Sequence, residues 1–522
     1  MFKLTETEIE NAIKAIEFHG YSALLPEPIE WQVVLENRVE ITNYIKELDL
    51  DNYKPFKPMK VFAPKNRANI RVVHLLHPQD LIIYTALTII VKNDIEAGRI
   101  SKKAKRVFSY RVDTSKSDRL YDARGAHDEY LSYLKKKSDK KNIKFVGIAD
   151  IADFYPRIYQ HRLENVIETI ATDNRSIEVA RVLVKKLISN LMGRNSYGIP
   201  VGPYASRVLA EAVLIDVDAF LYSKNIDFVR WVDDYNIFCK SEYEAQSTLF
   251  GLGEWLYTNH GLTFQSAKTK ILPVKRYLGE ILIKPDDQLS NRDQAVEFLQ
   301  DFTSIYEEID EEDLDEGEIQ EVLLKLQEFD LLGMLNESVS DQNLVDYEIV
   351  KYVLTKLNRV PGVSEDLKKQ VLDFVIENAE LLYPVTEQIA KYVQNYSGLT
   401  RKEKKDIAKL LLKPLKSKRN PPPNYYAMWI LWIFSTSEDW NHSKDIIELY
   451  QNSNSEVLKR YAALAIGKCG NRAEALVIKN DFPASSDILK LAILSSSNKL
   501  GKDERKHWKL ANQIDGILEK KI

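Results

Sequence analysis

Three aspartates stand at positions from which their carboxylates could act on one reaction. Asp150 follows the apolar run 143–149 (IKFVGIA), and Asp233-Asp234 lie between the apolar runs 226–232 and 235–239. Carboxylates are the hard oxygen ligands that hold pairs of Mg²⁺ ions about 4 Å apart. One ion lowers the pKa of an attacking hydroxyl and the other stabilises the leaving oxygen, which is the chemistry of nucleotidyl transfer. We therefore expect the three side chains to converge on Mg²⁺ or Mn²⁺.

Each acidic position, taken alone, also has a simpler explanation. Asp150 can cap the helix that follows it, since aspartate is a common N-cap residue. Asp233-Asp234 can form an ordinary hairpin turn, because aspartate tolerates turn geometry. Adjacent carboxylates repel each other, however, and a bound cation is one way to hold them together. The metal-site hypothesis therefore requires that both positions meet in the fold.

The elements that must position these acids alternate between strands and helices up to about residue 285. Apolar runs predict strands over 61–63, 70–73, 143–149, 226–232, 235–239 and 277–284, the first two as a hairpin. Helical spacing predicts helices over 79–97, 160–172, 175–192, 204–224 and 242–259. Asp150 would lie at the carboxyl end of a buried strand, which is where active sites of open α/β sheets form.

Six short motifs, in order along the chain, resemble those of reverse transcriptases. Asp150-Ile151-x-x-Phe154-Tyr155 resembles motif A. The segment 198–206 (GIPVGPYAS) resembles motif B, and the segment 231–234 (WVDD) resembles motif C. Lys268-Thr269 resembles motif D, and 277–279 (YLG) resembles the strand that grips the primer. Upstream, Pro64-Lys65 and Arg71 resemble the fingers hairpin that holds the incoming triphosphate.

The resemblance implies a role for each matching residue. The metals would be bound by Asp150, Ile151, Asp233 and Asp234, and the nucleotide by Lys65, Arg71, Tyr155, Gly202 and Pro203. Template or primer would be contacted by Gly198, Ser206, Arg207, Leu278 and Gly279. Lys268 would donate a proton to the departing pyrophosphate.

Three of these assignments have simpler alternatives. The ring of Tyr155 would block a ribose 2′-hydroxyl and so select deoxynucleotides, but it could also be a core aromatic residue. Lys65 and Arg71 could be exposed charges of a hairpin, and Lys268 could be an ordinary surface lysine.

One branch of the family resembles this chain more closely. The pattern Gly-x-Pro-x-Gly-Pro-x-x-Ser-Arg, from Gly198 to Arg207, is similar to that of bacterial abortive-infection and other defence-associated reverse transcriptases. This resemblance implies antiphage DNA synthesis on a small RNA template or with little templating, protein priming in some relatives, and homo-oligomers. The chain departs from the family at Val201, where many members have Gln, and at Trp231, where Tyr or Phe is more frequent.

Beyond residue 290 the pattern becomes helical, with few strand signals. The segment 455–470 (SEVLKRYAALAIGKCG) aligns with 486–501 (SDILKLAILSSSNKLG) at an offset of 31 residues. This period is typical of stacked helix pairs, with a generic helical bundle as the alternative. We expect an α+β protein with reverse-transcriptase fingers and palm over residues 1–290, followed by an all-α HEAT-like repeat domain over residues 291–522.

The overall composition limits the remaining choices. The chain has 522 residues, 73 basic and 77 acidic, but the charge is uneven, with basic runs over 102–106 and 135–144 and an acidic run over 307–318. Two cysteines without metal-ligand spacing, no signal peptide and no apolar run of about 18 residues predict a cytoplasmic protein without a membrane span. The expected partners are deoxynucleoside triphosphates, an RNA template or non-coding RNA, and a DNA product.

Two other functions stay open at this point. An RNA-dependent RNA polymerase would use the same metals, although Tyr155 argues against it. A catalytically inactive, polymerase-like RNA-binding scaffold is the second, although it has no need to keep all three aspartates.

Overall fold

The computed structural model describes residues 1–65, 69–122, 124–279, 330–340, 345–357, 363–417, 419, 421–514 and 516–522. The chain groups into two compact units, one of Met1–Pro58 with His74–Gln288 and the other of Met59–Val73 with Leu289–Ile522. The expected division near residue 290 and the acidic run 307–318 lie outside the described residues. The domain boundary therefore stays a prediction.

Strands of the described residues form two sheets. The hairpin contains β1 (Met59–Pro64) and β2 (Ile70–Leu75), as the sequence predicts. The larger sheet contains β3 (Phe145–Asp150), β4 (Phe228–Trp231), β5 (Asp234–Cys239) and β6 (Lys270–Pro273), in the order β4-β5-β3-β6. All three strand pairs of this sheet are antiparallel.

Thirteen helices are described in the first unit. They are α1 (Glu6–His19), α2 (Ile29–Glu36), α3 (Arg38–Glu47), α4 (Pro78–Gly98), α5 (Ala126–Ser138), α6 (Phe154–Arg157), α7 (Gln160–Ile170), α8 (Asn174–Arg181), α9 (Ser189–Leu191), α10 (Ala205–Val213), α11 (Ile215–Ser223), α12 (Glu242–His260) and α13 (Val274–Tyr277). A π-helical segment, Val182–Ile188, joins α8 to α9.

Apolar alternation along the strands creates a core on each side of the sheet. On one face, Val146 and Phe238 pack with Tyr130 and Leu134 of α5. On the other face, β3 approaches α12 closely at Gly147, where a Cβ atom would lie 3.1 Å from Leu249 Cδ1. Buried apolar packing on both faces therefore fixes the position of β3, the strand that ends at Asp150.

Two predicted elements differ from the structure. The long helix predicted over 204–224 is divided into α10 and α11 at Leu214, whose ψ is 2°. The β-branched residues Val213 and Ile215 flank this break and lower helix propensity there. The strand predicted over 277–284 is wrong in its described part, because Tyr277 ends α13 and Leu278 has helical dihedral angles, while 280–284 lie outside the described residues. The edge strand is instead β6.

The second unit is helical apart from the hairpin in its described residues. Its helices are α14 (Leu331–Ser340), α15 (Tyr347–Leu357), α16 (Glu365–Glu377), α17 (Thr386–Asn395), α18 (Arg401–Leu412), α19 (Asn424–Thr436), α20 (Ser443–Asn452), α21 (Glu456–Cys469), α22 (Arg472–Lys479), α23 (Asp487–Ser496), α24 (Lys502–Ala511) and α25 (Ile517–Lys521). Within this unit, β1 packs against α19 and α21.

The predicted 31-residue repeat corresponds to two successive helix pairs, α21 with α22 and α23 with α24. The first helices of the two pairs, α21 and α23, pack against each other. The helical repeat domain predicted from the sequence is confirmed. In the described part of the chain, every helix is too short or too polar to span a bilayer.

Candidate active site

The antiparallel register of β3 and β5 brings the predicted acids together. Asp150 lies directly opposite Asp234, and the amide of Ile151 donates to the carbonyl oxygen of Asp233 at 3.2 Å. Residues directly opposite each other in an antiparallel pair point to the same face, with Cβ atoms about 4.5–5.5 Å apart. The two acidic positions of the sequence therefore meet at one end of the sheet.

The convergence of negative charge changes the chemistry of Asp234. Burial, together with the charges of Asp233 and Asp150, raises the pKa of Asp234 to about 7. A carboxyl group in this position holds a proton near neutral pH unless a cation compensates the neighbouring charges. The donor set of three carboxylates fits a divalent cation on these grounds, since hard oxygens are what Mg²⁺ and Mn²⁺ prefer.

Lys268 provides positive charge at the same place. The loop before β6 is tied to β3, because the amide of Gln265 donates to the carbonyl oxygen of Asp150 at 2.7 Å. From this loop the Lys268 ammonium reaches Asp150 Oδ2 at 2.5 Å. Partial burial alone would lower the pKa of Lys268, but the hydrogen bond to Asp150 and the nearby carboxylates raise it. Lys268 is therefore a protonated group in contact with the acids.

The described residues contain no group of three or more His, Cys, Asp or Glu side chains already arranged around a metal position. At Asp150, one carboxylate oxygen is taken by Lys268 instead. The metal assignment of these acids therefore stays a prediction.

The turn between β4 and β5 has an unusual backbone. Its first residue, Val232, has a φ of +52°, a conformation that β-branched residues rarely adopt. Both backbone groups of Val232 are held, since its amide donates to Ser109 Oγ at 2.9 Å and its carbonyl accepts from Arg230 Nη1 at 2.7 Å. These two bonds hold the turn that carries Asp233 in its strained form.

A fully buried charge network holds Arg230, which donates to this turn. The Arg230 guanidinium binds Asp218 through two nitrogens, at 2.8 and 2.5 Å, and binds Glu211 at 2.9 Å. Glu211 also accepts from Arg99 at 2.8 Å and from the Ser109 hydroxyl at 2.5 Å. Although burial alone would raise it, the charges of Arg230 and Arg99 lower the pKa of Glu211. All four charges are therefore compensated inside the protein.

The sequence analysis did not identify this network. Arg230 and Ser109 reach the turn directly, whereas Glu211, Asp218 and Arg99 hold Arg230 and each other. One signal was present, because Arg230 is a charged residue in the middle of the apolar run 226–232. Charged residues are rarely fully buried unless they are paired, so this position implied a buried partner.

Comparison with known protein families bears on residues 64–291 of the chain. Residues 64–291 match the family described as "Reverse transcriptase (RNA-dependent DNA polymerase)". This segment is a reverse-transcriptase domain. Comparison with curated proteins finds no match to the chain.

Three telomerase structures are similar to the chain at low identity. They are apo telomerase from Candida tropicalis truncated from the C-terminal domain (14% identity, 42% of this chain and 50% of that chain, TM-score 0.31), telomerase from Candida albicans in complex with a TWJ fragment of telomeric RNA (13%, 78% and 71%, 0.32) and apo telomerase from Candida tropicalis (13%, 77% and 73%, 0.33). The chain spans half the length of the first of these structures.

The motif B loop of the reverse-transcriptase domain packs beside motif A. The amide of Ile199 donates to the Tyr155 carbonyl oxygen at 3.2 Å, and that of Gly198 donates to Ile158 at 2.8 Å. Gly198 has a φ of +89°, and a Cβ atom there would lie 3.1 Å from the Pro156 carbonyl oxygen. Glycine is therefore needed at this position for the backbone of the loop itself.

Several predicted contact residues have structural partners in the domain. The buried Ser206 hydroxyl donates to the Pro200 carbonyl oxygen at 2.5 Å and bonds the Tyr84 hydroxyl at 2.9 Å. Arg207 donates to the Tyr121 hydroxyl at 2.9 Å and lies over the ring of Tyr204. Ser206 thus stabilises the loop, and contacts of these side chains with nucleic acid stay predictions.

The remaining predicted nucleotide ligands are Tyr155, Gly202 and Pro203. Tyr155 is half-buried beside this loop, and burial keeps its pKa well above the ordinary value, so its hydroxyl is neutral. Gly202 has a φ of +119°, and Pro203 is buried just before α10. Their roles toward a nucleotide stay predictions.

Four predicted residues lie at the edges of the described reverse-transcriptase fold. Lys65 and Arg71 are exposed on the hairpin, which groups with the second unit. Leu278 and Gly279 follow helix α13 rather than lying in a strand. Tyr277 of the same motif is fully buried, and its hydroxyl donates to Asn236 Oδ1 at 2.9 Å. We therefore expect Tyr277 to hold this segment on the sheet.

Proposed function

We propose that this protein is an RNA-directed or weakly templated DNA polymerase that works by two-metal nucleotidyl transfer. The observation that carries the proposal is the β3–β5 register, which sets Asp150 opposite Asp234 and ties Ile151 to Asp233. The family match over residues 64–291 supports the same chemistry. The divalent cations held by Asp150, Asp233 and Asp234 would activate the attacking hydroxyl and stabilise the leaving oxygen.

Two other side chains take defined roles in this proposal. Lys268 is protonated, is more than half exposed, and lies at the acids, so it is suited to give a proton to departing pyrophosphate. Tyr155 follows Asp150 by five residues and is suited to exclude a ribose 2′-hydroxyl by steric contact. Both roles belong to side chains of the reverse-transcriptase domain itself.

Incorporation of labelled nucleotides tests the polymerase proposal. The purified full chain should incorporate dNTPs with Mg²⁺ or Mn²⁺, and Asp233→Asn should lower the rate by about a thousandfold or more. Asp153→Asn is the matched control, since Asp153 is an exposed aspartate three residues after Asp150 with a φ of +46°, which Asn tolerates. No incorporation by the wild type under any of these conditions would reject the proposal.

Sugar selection separates a DNA polymerase from an RNA polymerase. We expect the wild type to prefer dNTPs and Tyr155→Ala to lower that preference by about tenfold or more, because the ring no longer fills the 2′ position. Tyr155→Phe keeps the ring and should keep the preference. Faster incorporation of rNTPs by the wild type would favour the RNA-dependent RNA polymerase instead.

A role in antiphage defence is the finer part of the proposal. Its support is the motif B pattern from Gly198 to Arg207 and the helical repeat domain that follows the reverse-transcriptase domain. Cells that express the wild-type protein should resist phage infection, whereas cells that express the Asp233→Asn variant should not. Protection that survives this substitution would favour the RNA-binding scaffold.

Priming, templating and assembly are measurable on the same protein. DNA that stays with the protein through denaturing extraction would support priming from a tyrosine, and sequencing of that DNA would identify any RNA template. The proposed homo-oligomer predicts a mass above that of the 60.3 kDa chain in light scattering.

A further inference from the structure

The last helices of the second unit enclose a basic pocket. It has a volume of about 820 Å³ and lies between α24 and the residues around α25. Apolar side chains of Leu500, Leu510 and Ile514 form part of its wall. Its charged lining is exclusively cationic among the described residues and consists of Lys502, Arg505, Lys506, Lys509 and Lys520. We name this set the basic pocket.

Two cations of the basic pocket donate to groups other than acidic side chains. Arg505 donates to Ser497 Oγ at 2.9 Å and to a main-chain oxygen of Ile522, and Lys509 donates to the Glu519 carbonyl oxygen at 3.3 Å. Glu504 of the same helix contributes nothing here, because it pairs with Arg472 and Lys479. In the described part of the chain, no carboxylate side chain forms an ion pair with any of the five cations.

This arrangement is unfavourable for the protein on its own. Arg505 and Lys509 are four residues apart on one helix face and only partly exposed, and like charges at this spacing destabilise a helix. Burial, followed by the charge of Arg505, lowers the pKa of Lys509 to about 8. A bound anion would relieve both the repulsion and the cost of burial.

The length of the cation row indicates the size of the anion. From Lys502 to Lys509 the helix rises by about 10 Å, at ~1.5 Å per residue, whereas consecutive phosphates of one DNA strand are about 3.4 Å apart along a duplex axis. The row is thus longer than one phosphate group. Its outer members Lys502, Lys506 and Lys520 are exposed, and the apolar wall offers a surface for sugars and bases.

We propose that the basic pocket binds the phosphodiester backbone of a single-stranded nucleic acid, at a site formed by residues of the second unit alone. The identity of the ligand draws on the proposed function, since a polymerase supplies such a strand. The site itself does not depend on catalysis. The lining offers no aromatic side chain among the described residues, so base preference at this site should be weak.

Binding of a labelled single-stranded oligonucleotide to the full chain tests this proposal. The test variant is the triple Lys502→Gln, Lys506→Gln, Lys509→Gln, and the matched control is the triple Lys402→Gln, Lys405→Gln, Lys409→Gln on the exposed face of α18. We expect the test variant to bind at least about fivefold more weakly in fluorescence anisotropy. The slope of its log affinity against log salt concentration should become shallower by about 2, because each of the three lost phosphate contacts contributes ~0.7 on a single strand. The control should match the wild type.

Three outcomes decide the matter. Equal affinities of wild type, test variant and control overturn the proposal. Binding of inorganic tripolyphosphate that the test variant loses, without any oligonucleotide difference, also overturns it, in favour of a small phosphate ligand. A selective loss of oligonucleotide binding supports it even if the wild type incorporates no nucleotide, so failure of this site and failure of the proposed polymerase are told apart.

Discussion

The two units bury positive charge in opposite ways. In the first unit, Arg230 is completely buried and has both Asp218 and Glu211 as partners. In the second, Arg505 is half-buried beside Lys509 and, among the described residues, donates to a hydroxyl and to a main-chain oxygen of Ile522 rather than to an acidic side chain. Charge that is paired inside the protein holds a backbone in place, whereas charge left unpaired at a concave surface is available to a ligand.

Removing each arginine is the strongest test of this comparison. Arg230→Gln should lower the free energy of unfolding by about 3–5 kcal/mol, because two carboxylates then stay buried without a counter-charge. Arg505→Gln should change it by about 1 kcal/mol or less, since no acidic side chain among the described residues depends on it and the site is partly exposed. Urea denaturation measures both. Similar losses in the two variants would break the distinction between paired and unpaired charge.

A smaller effect on stability should come from the converging acids of the first unit. The folded pKa of Asp234, about 7, is above its ordinary value of 3.8, so the folded state binds the proton more tightly than the unfolded state. In metal-free buffer the contribution of Asp234 to stability is therefore full below pH 4 and is lost as the pH rises to about 7. The melting temperature should fall by several degrees over this range, and less in Asp234→Asn.

Added Mg²⁺ provides the control for this pH effect. If the acids take up a divalent cation, Mg²⁺ should raise the melting temperature of the wild type at pH 8 by more than that of Asp234→Asn. A melting temperature with the same pH dependence in wild type and variant would contradict the charge convergence at Asp234.

The smallest effect is expected from Lys509. Its folded pKa of about 8 is below the ordinary 10.5, so protonation favours the unfolded state. Its contribution to stability should rise as the pH rises from about 8 to about 10, and should be lost below pH 8. A shift of a degree or two that Lys509→Met removes is the expected result in thermal melts. Because Lys509 is partly exposed, a shift as large as that of Asp234 would be unexpected.

Local patterns in the sequence were enough to predict the strands of the acids and their meeting. The apolar runs before Asp150 and around Asp233-Asp234 form β3, β4 and β5, and the motif order led to the reverse-transcriptase domain. The helical repeat was visible in the 31-residue offset. These features depend on periodicity and on residues close together in sequence.

Features that depend on distant residues were not predicted. The network around Arg230 joins Arg99, Ser109, Glu211 and Asp218, and no local pattern relates these positions. In the sequence, the residues of the basic pocket look like an ordinary charged helix, because only the fold brings Lys520 beside α24. The strand predicted over 277–284 was wrong where it is described, since an apolar run does not distinguish a strand from a short buried helix.

The tip between β4 and β5 contains only Val232 and Asp233, and both backbone groups of Val232 are bonded. Side chains alternate between sheet faces at every residue, so one inserted residue at this tip would shift the register and turn Asp234 away from Asp150. The spacing between the Asp150 and Asp234 carboxylates is thus set by the hydrogen-bonded pair of β3 and β5 and not by loop motion. An arriving cation would meet donors whose backbone is already in place, and little free energy would be spent on rearranging it.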